Sequence, residues 1–382
     1  MDTTDSPPPR RRARLWKLVL LPLFYLVLGE LGARYLLSSH LQDWDVARRG
    51  LAGEDEGGLQ NMIGQAYLNY VQAPGYANEH GPQHDEHGYR GGRVPLEKEP
   101  GTLRVVCLGG STTYGWGVQR PGETYPAQLQ ELLAADPPSG YERVEVINGG
   151  LPWGTSAELL NHYHFKYHYY RPDVVIVHLA VNDAQAFDME AYQPDYAHWR
   201  QHMQSPLVLP PATRWLAKSR LVGLVLVPAL LGTEPALPSF NRLSRQPDID
   251  WYDGGHLDRD VPEEVPDHDV AFLHNVRGLV RGAQRDGAAV LLMPVEFRSA
   301  GRSEADLLQE VESTDNSLRY TRHNAVLLER IAEETGAVFV PFPQAQLSPG
   351  HWTEFLHLGR EGSRVKARHV AGFLKRAVDG SR

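Results

Sequence analysis

Cysteine is nearly absent from this chain of 382 residues: Cys107 stands alone, so a disulfide-built scaffold is excluded. It lies in the apolar run Leu103 to Leu108, where a single thiol packs as a small hydrophobe. Basic charge is not in excess either. Lys and Arg number 38 against 47 Asp and Glu, a net −9, and the body of the chain has no long basic stripe. Nothing in that pattern draws a nucleic acid. Low-complexity composition is also missing: 42% hydrophobic and 22% charged residues exclude a wholly disordered or collagen-like chain. The length allows one large domain or two modest ones.

Long apolar runs are scarce, and the one near the N-terminus is interrupted. A basic tail, residues 1–14, carries Arg10, Arg11, Arg12 and Arg14 after three prolines. From Leu15 to Leu37 follows an apolar segment broken by Lys17, Pro22, Glu30 and Arg34. A bilayer-crossing helix takes about 20 residues, so this segment just suffices if Lys17 and Arg34 snorkel and Glu30 lies near an interface or pairs with Arg34. The arginines before it predict a cytoplasmic N-terminus, with everything after about residue 38 exported. The expectation is a signal-anchor helix over 15–37. A cleaved signal peptide is the alternative, since Gly29 to Ala33 is rich in small residues. A second apolar run, Leu221 to Leu231, is too short to cross and contains Pro228, and reads as a buried or interfacial helix.

Residues 38–100, rich in Gly, Pro, His and acidic residues, read as a stalk or arm. Over 101–382 short β-branched runs alternate with helical stretches. Strands are expected at 103–108, 144–148, 174–179, 288–293 and 337–340, and helices near 125–135, 155–169, 271–285, 318–334 and 361–378. Runs this apolar on both faces imply an α/β domain with a parallel sheet covered on both sides. Such sheets bind ligands at the carboxyl ends of their strands. The insertion 184–269, rich in Pro, Trp, Tyr and His, is too long for a structureless loop and reads as a helical cap.

After the first strand comes Gly109-Gly110-Ser111-Thr112-Thr113-Tyr114-Gly115. Its glycines permit a sharp turn that sets the Ser111 hydroxyl at the start of a helix. A phosphate-binding P-loop would need a lysine, and a G-x-S-x-G elbow would need glycine in place of Thr113; neither is present. After the second strand comes Asn148-Gly149-Gly150-Leu151-Pro152-Trp153-Gly154, and after the third Ala180-Val181-Asn182-Asp183. Near the C-terminus, Glu354 precedes His357 by three residues and a helix follows. A serine nucleophile needs a base, an acid to orient the imidazole, and donors for an oxyanion. Ser111, His357 and Glu354, with the Ser111 and Gly150 N–H groups and the Asn182 amide, supply all of these.

The order of these blocks resembles the SGNH (GDSL-like) hydrolase superfamily over about 88–374, outside most of the insertion. The matching segments are 109–115, 148–154 and 357–362. The resemblance implies a three-layer, flavodoxin-like, doubly wound sheet. It makes Ser111 the nucleophile, His357 the base, Gly150 and Asn182 oxyanion donors, and esters of carbohydrates or lipids the substrates. The anchor followed by His87 to Gly91 looks like exported, membrane-tethered members of that group. Two residues depart from its pattern: Ala180 stands where glycine is usual, and Glu354 where aspartate is usual. A Ser-His dyad is the fallback if the longer acid does not reach. Water as acceptor makes the chain an esterase, a sugar hydroxyl an envelope O-acyltransferase, and a decayed site a glycan-binding protein.

No cofactor is expected. His80, His84 and His87 with Asp85 and Glu86 have spacings a metal could use, but they sit in a glycine-rich arm, and no metal site is expected there. His162, His164 and His168 among Tyr163, Phe165, Tyr167, Tyr169 and Tyr170 would face several directions on a helix, as a packed and partly exposed surface.

Overall fold

The computed structural model describes residues 10–36, 61–65, 67–188, 192, 194–196, 199, 218–222, 270–298 and 315–380. Most of the expected cap over 184–269 lies outside these residues. The chain divides into two units, 1–60 with 204–245, and 61–203 with 246–382.

In the first unit, α1 (Arg10–Leu36) carries Pro22 within it. Glu30 pairs with Arg34 at 2.9 Å, and its carboxylate accepts from Ser219 Oγ at 2.8 Å and from the Arg220 and Leu221 N–H groups. Among the described residues, no helix is long and apolar enough to cross a membrane. The expected transmembrane span over 15–37 is corrected accordingly: a helix is present, but proline and the paired charges interrupt its apolar character. The side chains of Val19 to Leu31 nonetheless stay largely exposed. Leu221, the first residue of the second apolar run, packs against Gly29; the remainder of that run lies outside the described residues.

The second unit is built on a five-stranded sheet. It opens with two small hairpins, β1 (Met62–Gln65) with β2 (Asn69–Gln72) and β3 (Ala77–Asn78) with β4 (Gly81–Pro82). The main strands are β5 (Thr102–Gly109), β6 (Arg143–Gly150), β7 (Val174–Leu179), β8 (Ala289–Pro294) and β9 (Val338–Phe339). They pair in parallel in the order β6-β5-β7-β8-β9. This is the expected doubly wound order, and it reverses between β5 and β7 at the switch point where such sheets bind ligands.

Strand alternation sorts the core into two layers. Val106, Leu108, Val175 and Val177 pack with α4 (Ser156–Phe165), α6 (Val270–Arg285) and α7 (Asp315–Thr335). Val105, Cys107, Val174 and Ile176 pack with α3 (Tyr125–Ala135) and α8 (Arg360–Gly380). Each such buried aliphatic contributes about 1.5–3 kcal/mol. The α3 helix starts at Thr124, whose hydroxyl accepts from Ala127 N–H, with proline just inside the first turn. Thr155 and Glu158 form a capping box at the start of α4.

The stretch expected as a stalk differs from expectation. From Asn61 onward it belongs to the same unit as the sheet. Its buried residues include as many polar as apolar ones, among them Gln72, Gln83, His84 and Arg90. Arg90 donates to Gln83 Oε1 at 2.7 Å, the Tyr114 hydroxyl at 3.1 Å, Gly115 O at 3.3 Å and Val118 O at 3.2 Å. Gln72 Nε2 donates to Gly150 O at 2.6 Å, and the Tyr70 hydroxyl to Pro152 O at 2.9 Å. The arm thus braces the two loops that leave β5 and β6.

His84 completes that brace. Its Nδ1 lies 2.7 Å from Ala73 O, an atom that can only accept, so Nδ1 carries the proton. Nε2 then accepts from the Tyr114 hydroxyl at 2.9 Å, whose oxygen in turn accepts from Arg90. His162 makes a comparable buried contact, its Nε2 reaching Leu68 O and Tyr70 O. Burial pushes both imidazoles down to about 4. As pH falls from 6.5 to 4 each of these two imidazoles takes up a proton in the unfolded chain that it refuses in the folded one, so stability falls by about 3 kcal/mol for each, and His178, held low by its own burial, adds to the loss. Asp183, pushed up to about 6 by burial, opposes this between pH 6 and 4 as a single group. A net loss of about 3 kcal/mol or more between pH 6.5 and pH 4 is expected in urea titrations, with most of the His84 share absent in His84→Gln. A stability that stays level across that window would contradict the assignment.

Candidate active site

Ser111 is the first residue of a one-turn helix, α2 (Ser111–Tyr114), entered from β5 through Gly110. A first helical residue has no intrahelical acceptor for its N–H, so that group is left for a ligand. Closeness is enforced by glycine: a Cβ on Gly109 would strike the Thr113 hydroxyl, and one on Gly110 would stand 2.8 Å from Asn182 Nδ2. Glycine here lets the serine turn sit directly on the end of β7.

His357 is brought from 246 residues away by the loop before α8, and its Nε2 lies 2.8 Å from Ser111 Oγ. Its Nδ1 is hydrogen-bonded to Glu354 Oε1. The same carboxylate accepts the Leu356 and His357 N–H groups, each at 2.9 Å. Burial alone would raise the Glu354 carboxyl, but the bond and charge of His357 and these two N–H groups outweigh it and hold it below the usual carboxylate range. A carboxylate at Nδ1 keeps the proton there, so Nε2 faces the serine as an acceptor. The longer acid reaches because it folds back within its own tight turn.

Asn182 stands in the first turn of α5 (Val181–Asp188), just beyond β7. Its Nδ2 donates to Gly154 O at 2.8 Å, leaving the second amide hydrogen for a ligand. The next residue, Asp183, is fully buried and accepts from Ser156 Oγ at 2.6 Å and the Tyr196 hydroxyl at 2.8 Å. It therefore ties the Asn182 turn to the start of α4. Ala180 is accommodated: it is buried, and its carbonyl accepts from Asn324 Nδ2 at 3.1 Å.

Gly150 departs from expectation. Its single N–H donates to Asn148 Oδ1 at 3.0 Å, so it has no hydrogen to offer an oxyanion. A Cβ at Gly150 would collide with the Tyr114 backbone; the residue is a close-packed support for α2. Gly154 is the glycine of this loop that meets Asn182, through its carbonyl. Its only sequence signal was its place directly before the Thr155 cap. Of the three expected donors, the Ser111 N–H and the second hydrogen of the Asn182 amide remain for a ligand.

Of the other histidines, His84 and His162 are buried and hydrogen-bonded, whereas His80 and His87 are exposed. His87 Nε2 contacts Arg93 at 2.9 Å, and His84 is committed to Tyr114. Among the described residues, no group of three His, Cys, Asp or Glu is placed to hold a metal ion. In the aromatic run of α4, His162 and Tyr163 are buried while Phe165 is exposed.

A hydroxyl bonded to an imidazole, the imidazole bonded to a carboxylate, and two donors beside the hydroxyl form an arrangement suited to acyl transfer. Among curated proteins none matches the chain. Three solved structures show faint likenesses. A lipolytic protein of the G-D-S-L family from Desulfitobacterium hafniense DCB-2 is 12% identical, covering 71% of this chain and 98% of that one at a TM-score of 0.40. A catalytic mutant of Axe2, an acetylxylan esterase from Geobacillus stearothermophilus, is 17% identical, covering 73% and 96% at 0.40. A two-domain esterase active on acetylated mannans is 16% identical, covering 72% and 50% at 0.38. At these scores the likenesses carry no weight beside the family match. The model of the GDSL-like lipase/acylhydrolase family matches residues 107–365, well over half of the 382. With that match the chain belongs to the GDSL-like lipase/acylhydrolase family, within the SGNH hydrolase superfamily, and is a hydrolase of ester bonds.

Proposed function

We propose that the chain is an exported serine esterase that removes O-acyl groups of the acetyl type from an envelope carbohydrate or lipid. The observation that carries this reading is the 2.8 Å contact between Ser111 Oγ and His357 Nε2, with Glu354 on the opposite ring nitrogen. In the first step Ser111 Oγ attacks the ester carbonyl as its proton passes to His357 Nε2. Glu354 stabilises the imidazolium that forms, and the Ser111 N–H and Asn182 amide hold the oxyanion. His357 then returns the proton to the departing alcohol, leaving an acyl-Ser111 ester. Water, deprotonated by the same imidazole, attacks that ester and releases the acid, and Ser111 recovers its proton.

The location is part of the same proposal. The arginines that open α1 and the exposed apolar side chains from Val19 to Leu31 suit a helix that holds the chain at a membrane, with the sheet domain outside the cytoplasm. Carbonate extraction of full-length protein from cells should leave it in the membrane pellet, and release into the wash would contradict the tether. Acetate released from acetylated oligosaccharide tests the chemistry; acetyl appearing instead on an added sugar acceptor would identify a transferase.

A further inference from the structure

We propose that Trp116 and Trp153 form a two-sided aromatic rim over Ser111 that stacks against the pyranose rings of a neutral acylated saccharide and sets the preference for that substrate. This rests on the esterase reading above and names the substrate class of that same site.

Both indoles are exposed, at 41% and 44%, whereas Trp199 and Trp352 are buried. Both are also anchored beside the reacting groups. The backbone N–H of Trp116 donates to Ser111 O at 3.0 Å. The next residue, Gly117, is packed so closely that a Cβ there would lie 3.0 Å from His357 Cβ. Trp153 directly precedes Gly154, whose carbonyl binds the Asn182 amide at 2.8 Å. One tryptophan therefore flanks the serine and histidine, and the other flanks the amide donor.

Trp153 has a backbone φ of 64°, in the left-handed region where a bulky residue is an outlier. That conformation costs on the order of 1 kcal/mol or more, and an indole left half in water gives little packing in return. It is nevertheless firmly held. Trp199 Nε1 donates to Trp153 O at 3.2 Å, the Tyr70 hydroxyl to Pro152 O at 2.9 Å, and the Gly154 N–H to Leu151 O at 2.7 Å. The Trp199 ring stands 6.2 Å from that of Trp153. On the other side the Trp116 ring lies 6.2 Å from Tyr114, which Arg90 and His84 fix in place. A fixed, exposed aromatic face binds without the entropy cost of ordering a mobile side chain.

The ligand class follows from what such a rim offers. A sugar ring presents a flat C–H face to an indole while its hydroxyls remain in water, matching half-exposed rings. A long acyl chain requires an enclosed apolar slot that removes most of its surface from water. Nucleobases also stack on aromatics, but their backbone needs a cationic groove, and this chain carries a net −9.

The test measures kcat/KM for acetylated cello-oligosaccharide and for p-nitrophenyl acetate in full-length wild type, Trp116→Ala, Trp153→Ala and Trp153→Phe. The proposal expects the ratio of oligosaccharide to p-nitrophenyl acetate kcat/KM to fall about 5- to 10-fold for each alanine variant, chiefly through KM, with most of it restored by phenylalanine. Equal falls on both substrates, or an unchanged ratio, would overturn it. A ratio that instead changes for p-nitrophenyl octanoate and not for the oligosaccharide would also overturn it, assigning the rim to acyl chains. Calorimetric binding of deacetylated cello-oligosaccharide to Ser111→Ala protein separates this inference from the esterase reading. Binding that Trp153→Ala abolishes supports the rim; if wild-type protein binds the same oligosaccharide yet releases no acetate from its acetylated form, the esterase reading fails while the rim stands.

Discussion

Replacing Ser111 by alanine is expected to lower ester hydrolysis by about 10³-fold or more, to a residual level set by the oxyanion donors and binding alone. The loss follows from the geometry: Ser111 Oγ is the hydroxyl that meets an imidazole nitrogen, at 2.8 Å, with a carboxylate behind it. His357→Ala removes the proton acceptor and should cost nearly as much. Glu354→Gln should cost less, because the imidazole keeps a hydrogen-bond partner at Nδ1 and loses the charge that stabilises its protonated form. Combining Ser111→Ala with either of the others should add almost nothing, since the three act as one unit. Rates of p-nitrophenyl acetate hydrolysis for the single and double variants check this, and additive losses would show that the groups act separately.

The second large effect is expected at Arg90. Its guanidinium supplies four hydrogen bonds inside the molecule and lies 4.3 Å above the Tyr114 ring, Tyr114 being the last residue of the helix that Ser111 begins. Arg90→Met leaves Gly115 O, Val118 O and the Tyr114 hydroxyl without their donor in a site water does not reach. At about 1–3 kcal/mol for each stranded polar group, a loss of 3 kcal/mol or more in unfolding free energy is expected. Arg90→Lys should recover part of it, since an ammonium keeps the charge without the planar fork that spans four acceptors. The folded fraction of Arg90→Met should also turn over more slowly, because α2 has lost its outer support. An unchanged urea midpoint would show that the arm does not brace the nucleophile turn.

How legible these features were in the sequence depended on the kind of interaction involved. The strands Thr102–Gly109 and Val174–Leu179 are apolar on both faces, so sequence bounds and structural bounds agree to within a residue or so. The helices of the domain were readable from their apolar periodicity in the same way. Ser111, Asn182, Glu354 and His357 could be found because a parallel sheet gathers its chemistry where strands end, and they meet there. A glycine-rich turn does not reveal which N–H is already bonded: that of Gly150 donates to the Asn148 side chain, two residues back. The arm is hard to tell from a stalk in the sequence because half of its buried residues, Gln72, Gln83, His84 and Arg90 among them, are held by hydrogen bonds and add nothing to a hydrophobic period. In the N-terminal segment a count of apolar residues gives little weight to Pro22 and to the Glu30 and Arg34 pair.

The central claim is that one hydroxyl, activated by one imidazole, performs the chemistry. The most direct measurement is the mass of the protein after a brief exposure to a fluorophosphonate, followed by peptide mapping. A single adduct on the peptide containing Ser111 is expected, absent from Ser111→Ala and formed far more slowly in His357→Ala. An adduct on another residue, or equal labelling of all three proteins, would contradict the account.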